Sequence, residues 1–118
     1  MRGSRVRERQ AGEETRKRAE AELRQERRAF AQAVEEIVSA LGEREPRSRA
    51  TIERSVAVLG VEQAQALRRE VEALEAQGGM MTADGARRRT PGGVYMFIVK
   101  QRLNEAGRKD DLKRIVVG

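Results

Sequence analysis

The sequence predicts an all-α fold, a compact bundle of four to five helices. Of the 118 residues, 37% are charged, 38% are hydrophobic, and only Phe30, Tyr95 and Phe97 are aromatic. Such a composition, rich in Ala, Glu, Arg and Leu, favours helices. From residue 30 onward, apolar residues recur three and four positions apart, which is the spacing of one helix face. Strand-forming residues are too sparse for an all-β fold.

The N-terminal quarter of the chain is predicted to lie outside the bundle. Residues 1–12 carry four arginines, one glutamate and two glycines, which indicates a disordered basic arm. Residues 13–29 are mostly charged, with Glu14–Arg18 and Glu20–Arg24 at the spacing of attractive helical pairs. They are predicted to form a charged helical extension, and residues 30–118 the folded domain.

Three helices are predicted to open the domain. The first ends at Gly42, the second covers about residues 47–59, and the third covers about 61–77 before Gly78-Gly79. Their inward positions are Phe30, Val34, Ile37, Val38 and Leu41 on the first, Ile52, Val56 and Leu59 on the second, and Ala64, Leu67, Val71 and Leu74 on the third.

Two further helices are predicted after a short ordered loop or hairpin at about 79–90. The turn is indicated by Asp84-Gly85. The fourth helix begins at Pro91 and directs Val94, Phe97, Ile98 and Leu103 to the core, with Tyr95 toward the edge of this stripe. The fifth covers about 109–116.

The net charge of +6 is concentrated at the two ends of the chain: residues 1–12 carry +3, residues 13–83 carry −2, and residues 84–118 carry +5. A basic end on a near-neutral body favours a polyanionic partner, although a basic surface can also serve solubility alone.

Several functional classes are disfavoured. Because the chain has no Cys and no His, disulfides, thiol nucleophiles and histidine acid–base chemistry are excluded. The carboxylate pairs Glu13-Glu14, Glu35-Glu36 and Asp110-Asp111 are adjacent in sequence, so the members of each pair point in different directions on a helix, and none has a clustered partner set. We therefore expect no enzyme, metal site, cofactor or small-molecule substrate. The longest apolar run, Val94–Val99, is too short to span a membrane, and we expect a cytoplasmic protein.

The most informative segment combines Arg87, Arg88 and Arg89 with the helix start Thr90-Pro91-Gly92-Gly93. Threonine can cap a helix, and proline suits the first helical position. We expect the two glycines to leave their amides uncovered, and free amides at a helix N-terminus attract anions. Beside three guanidiniums, the expected anion is a phosphate of a nucleic-acid backbone. The alternative is a solvated charge run before an ordinary helix start.

Three residues of the fourth helix are candidates to extend this contact. Tyr95 either stacks on a base or covers the core, and the sequence favours the second role. Lys100 and Arg102 either continue an electropositive track or belong to a normal polar helix face.

The segments Gly78–Met81 and Asp84–Tyr95 resemble the signature of the RNA-binding domain of PHAX, the phosphorylated adapter for RNA export. That signature reads Gly-Gly, apolar residues, a short turn, and then Arg-Arg-Arg-Thr-Pro-Gly-Gly-Val-Phe. The resemblance covers about residues 30–116. Asp84 and Ala86 depart from it, because the family has asparagine and serine there.

The resemblance implies a compact helical domain that binds single-stranded RNA with limited sequence preference. It assigns the contact to Arg87, Arg88, Arg89, Thr90, Gly92 and Gly93, with Tyr95 where the family often has phenylalanine. The adapter's export segments do not fit in 118 residues, so we expect a stand-alone prokaryotic relative without the export role. The expected partner is single-stranded or structured small RNA. We expect the protein to bind it on a single strand or at a stem–loop junction. A helical protein–protein adapter and a non-specific duplex DNA binder are the alternatives.

Overall fold

Five α-helices form the described part of the protein. The computed structural model describes residues 2–118, with side chains from Ser4 onward. The helices are α1 (Arg2–Leu41), α2 (Pro46–Leu59), α3 (Val61–Ala76), α4 (Pro91–Glu105) and α5 (Lys109–Val116). An isolated antiparallel bridge joins Met81 and Arg88 in the α3–α4 loop. The predicted all-α bundle with an ordered loop before its fourth helix is confirmed.

The first helix extends far beyond the bundle. Side chains 4–29 are exposed, and contact with the core begins at Phe30. Residues 1–12 were expected to form a disordered arm, but α1 continues through residues 2–12 in the structure. Residue 1 lies outside the described part. Arg, Glu, Gln and Ala favour helix, and an existing helix grows without a new nucleation step. The extension explains the molecular dimensions of 78 × 28 × 24 Å. The division into arm, extension and domain stays a prediction.

The core lies between the inner faces of all five helices. Helix α1 packs on α2 and α3, α3 packs on α4, and α5 packs on α2 and α4. The inward positions predicted for the first three helices are buried, except that Phe30, Leu59 and Leu74 are half-buried against the core. Within residues 2–118, no helix is both long and apolar enough to cross a membrane.

The inner face of α4 differs from the predicted one. Phe97, expected in the core, is 38% exposed, whereas Tyr95 is completely buried. Because successive helical residues turn by about 100°, these two side chains lie roughly 160° apart, and only one of them can face the core. The other buried side chains on this helix are Val94, Ile98, Val99 and Leu103.

A buried hydrogen bond favours the arrangement in which Tyr95, and not Phe97, faces the core. Its hydroxyl lies 2.8 Å from the hydroxyl of Ser55 on α2, which is also fully buried. Ser55 donates its own hydrogen to the Ile52 carbonyl at 2.6 Å. The tyrosine is therefore the donor in the first bond, and both hydroxyls are satisfied inside the core.

Candidate nucleic-acid interface

The loop between α3 and α4 has a fixed backbone. The Thr82 amide donates to the Arg87 carbonyl at 2.8 Å, and the Arg89 amide donates to the Met80 carbonyl at 2.7 Å. These two bonds flank the bridge between Met81 and Arg88 and hold the two sides of the loop together. The three arginines therefore project from an ordered hairpin-like turn.

Asp84 shapes the tip of this turn. Its carboxylate accepts hydrogen bonds from the Thr82 hydroxyl at 2.6 Å and from the Ala86 amide at 3.0 Å. The Thr82 bond, and then the Ala86 bond, lower the pKa of Asp84. The carboxylate stays ionised at neutral pH, and two neutral donors of its own turn already bind it. Gly85 follows with a φ of +71°, a backbone region in which glycine is unstrained.

The three arginines have different surroundings. Arg87 is exposed, and within residues 4–118 its side chain has no hydrogen-bond or ion-pair partner. Arg88 pairs with the Glu75 carboxylate at the end of α3. Its guanidinium also lies against Gly79, where a β-carbon would be 2.9 Å from Cζ. Arg88 therefore anchors the loop to α3, while Arg87 is available to a ligand.

The Arg89 guanidinium lies over an exposed aromatic ring. Its Nε donates to the Met81 carbonyl at 3.1 Å, and its Cζ lies 4.8 Å from the centroid of the Phe97 ring. This distance is within the range of a cation–π contact. The side chain of Arg89 is half-buried and is held from two directions. Phe97 was not among the predicted site residues.

The start of α4 is not the bare helix end that the sequence predicted. The Thr90 cap is confirmed, because its hydroxyl accepts a hydrogen bond from the Gly93 amide at 3.1 Å. Gly92 is buried, and the Glu43 carboxylate fills the space that a β-carbon would occupy there. The expectation that both glycine amides are uncovered is therefore wrong. An internal carboxylate stabilises this helix N-terminus where a phosphate was expected.

The predicted site residues further along α4 do not lie on one side of the helix. Tyr95 is sealed in the core, and this burial raises its pKa. It cannot stack on a base while the domain is folded. Lys100 is exposed one helical turn after Phe97 and shares its side of α4.

Arg102 lies on a different side of α4. Its guanidinium pairs with Glu70 of α3 at 2.7 Å, and that carboxylate raises the pKa of Arg102. Since five positions separate it from Phe97, the two side chains lie roughly 140° apart around the helix. Phe97 is therefore paired with Arg89 and shares its side of α4 with Lys100, while Arg87 is exposed two residues before Arg89 in the loop. Arg102 and Tyr95 lie apart from these residues.

No metal centre accompanies the surface: residues 2–118 contain no cluster of three or more potential metal ligands. A family model for the RNA-binding domain of the phosphorylated adapter RNA export protein (PHAX) matches residues 33–117. The chain belongs to this family. The PHAX match includes the arginine loop, α2 to α5 and the core-facing part of α1, as the sequence resemblance predicted.

A solved structure supports the same assignment. It is described as a novel RNA-binding domain in Cryptosporidium parvum, and it matches with a TM-score of 0.61 at 26% sequence identity. The alignment covers 72% of this chain and 93% of the Cryptosporidium chain. No curated protein matches the chain. The PHAX-like part of the protein thus has the fold of an RNA-binding domain.

Proposed function

We propose that this PHAX-family domain binds single-stranded RNA on the surface formed by the loop 81–90 and the outer side of α4, here called the loop–α4 surface. The observation that carries the proposal is the Arg89–Phe97 pair, with Arg87 exposed two residues before Arg89 in the same loop. The family is one of RNA-binding domains, and the similar Cryptosporidium structure is described in the same terms.

The charges on this surface favour a phosphate backbone. Among the five basic residues predicted for the site, Arg88 and Arg102 have glutamate partners. Arg87, Arg89 and Lys100 have no acidic partner in the described part of the chain. These three cations can neutralise phosphates without first breaking an ion pair. Contacts of this kind position RNA without reading its bases, so limited sequence preference is expected.

The N-terminus of α4 takes a smaller part than its sequence indicated. Glu43 and the Thr90 hydroxyl already interact with its first turn. The proposal therefore assigns the main phosphate contacts to side chains and requires no free helix end. The proposed role of this surface is binding alone, with no chemical reaction.

A competition assay tests the function. A labelled oligouridylate of roughly ten nucleotides, within the usual range for a single-strand site, is bound to the full chain. Unlabelled single-stranded RNA of that length should displace it at lower concentration than duplex DNA does. Equal competition by both would instead identify a non-specific duplex DNA binder. Absence of RNA binding together with self-association would support the protein–protein adapter.

A further inference from the structure

Phe97 is the one aromatic side chain of this protein that solvent can reach broadly. The chain has three aromatic residues. Phe30 is half-buried against the core and Tyr95 is fully buried, but Phe97 is 38% exposed. Its helix is fixed by buried neighbours on the opposite side, so the ring stands on a rigid support.

The ring and the Arg89 guanidinium form a preorganised stack. Arg89 is fixed by its bond to the Met81 carbonyl, and its charged carbon lies over the ring at 4.8 Å. Aromatic rings and arginine planes are the two kinds of side chain on which unpaired RNA bases stack. A flat group that is already ordered binds a base with a smaller loss of side-chain entropy than a mobile one.

The surroundings of the stack suit a nucleotide. Gly93 lies one turn before Phe97 on the same side of α4 and has no side chain to place over the ring; the Arg89 β-carbon lies 3.9 Å from where its β-carbon would be, so Arg89 borders the ring on that side. Lys100 lies one turn after it and is exposed, and it can reach a phosphate that flanks a stacked base. Arg87 projects from the adjoining loop.

We propose that Phe97 and Arg89 form a base-stacking subsite, in which one unpaired nucleobase packs on the uncovered part of the ring while Arg87 and Lys100 hold neighbouring phosphates. The inference rests on the proposed function and makes it more specific. It explains a preference for single strands, because the bases of a duplex already stack on their neighbours. It also replaces Tyr95 with Phe97 as the aromatic contact.

The natural absence of tryptophan allows a direct test. In Phe97→Trp, tryptophan emission excited selectively over that of Tyr95 reports from this position alone, and an oligouridylate should quench it at saturation. A matched variant, Leu23→Trp, places the probe at a 50% exposed site on the α1 extension and should keep its emission. Quenching of both probes to the same extent, or of neither, would overturn the stacking subsite.

A second measurement separates stacking from packing. Phe97→Leu keeps an apolar side chain but lacks a ring, so it should bind oligouridylate about 5- to 150-fold more weakly, as expected for one lost base stack. An abasic oligonucleotide of equal length and charge should bind the variant and the parent equally. Unchanged binding of oligouridylate by Phe97→Leu would refute the subsite.

The two proposals fail in different ways. If the parent protein does not bind oligouridylate at all, the proposed function is wrong. If the parent binds it in a salt-dependent manner while the Phe97 variants behave as the parent does, only the stacking subsite is wrong.

Discussion

Removing the charge of Arg87 tests the electrostatic part of the proposed function. Three cations of the loop–α4 surface, Arg87, Arg89 and Lys100, have no acidic partner in residues 4–118. Each phosphate neutralised on a single strand contributes about −0.7 to the slope of log affinity against log salt. The parent slope should therefore be about −2, and Arg87→Ala should reduce it to about −1.4.

The loss of affinity should be modest. Arg87 is exposed, and an exposed ion pair contributes up to about 1 kcal/mol, or roughly a fivefold change in the dissociation constant. Fluorescence anisotropy of a labelled oligouridylate across a salt series gives the slope and the affinity together. Circular dichroism should show an unchanged helical fold, since within residues 4–118 this side chain makes no hydrogen bond or ion pair.

Two control variants make this test specific. Arg102→Ala removes a cation that Glu70 already pairs with, so it should leave the slope nearly unchanged. Arg16→Ala removes an exposed arginine from the α1 extension and should also leave it unchanged. If Arg16→Ala lowers the slope as much as Arg87→Ala does, RNA is bound diffusely by basic side chains, and the reasoning about the loop–α4 surface is refuted.

Two further predictions concern the core and the start of α4. Gly93→Ala should raise the free energy of unfolding by less than about 1 kcal/mol, because alanine favours helix but its β-carbon would lie only 3.2 Å from the Thr90 hydroxyl, a crowded contact that offsets part of this gain. Gly92→Ala should lower the free energy of unfolding, because the new β-carbon displaces the Glu43 carboxylate. Chemical denaturation measures both, and a Gly92→Ala variant as stable as the parent would contradict this packing. Burial raises the pKa of Tyr95 above its ordinary value of 10.0. Below about pH 10 Tyr95 is protonated in both the folded and the unfolded chain, and its buried phenol contributes fully to stability. Above that pH the unfolded chain releases the phenolic proton first, so the free energy of unfolding falls. Part of this fall should be missing in Tyr95→Phe, which has no phenolic proton. Identical pH profiles of the two proteins would contradict it.

The helices and most of the core could be predicted from the sequence because both depend on local patterns. The stripe that includes Val34, Ile37 and Leu41 has helical period, and glycines interrupt the chain where helices end. Thr90 and Pro91 likewise mark the start of α4, and the cap is made by contacts within four residues.

The site depended on contacts that are distant in sequence. On α4, a stripe through Val94, Phe97 and Ile98 and a stripe through Val94, Tyr95 and Ile98 fit the helical period about equally well. The choice between them is made by Ser55, forty residues away. No local pattern indicated it.

Two charged contacts between residues distant in sequence also decide which groups of the site are free to bind an anion. Glu43 covers Gly92 from the loop between α1 and α2, and Glu75 binds Arg88 across thirteen residues. The total charge of three adjacent arginines can be counted in the sequence. The sequence does not show which arginine is paired, stacked or available, because this depends on how α1, α3 and α4 pack around the loop.

RNA binding on the loop–α4 surface is tested most directly by an NMR titration of the ¹⁵N-labelled protein with single-stranded RNA. We expect the largest amide shifts in the loop 81–90 and at Gly93, Phe97 and Lys100, with small changes in residues 4–29 of α1. Shifts confined to the α1 extension, with the loop and α4 unaffected at saturation, would contradict it.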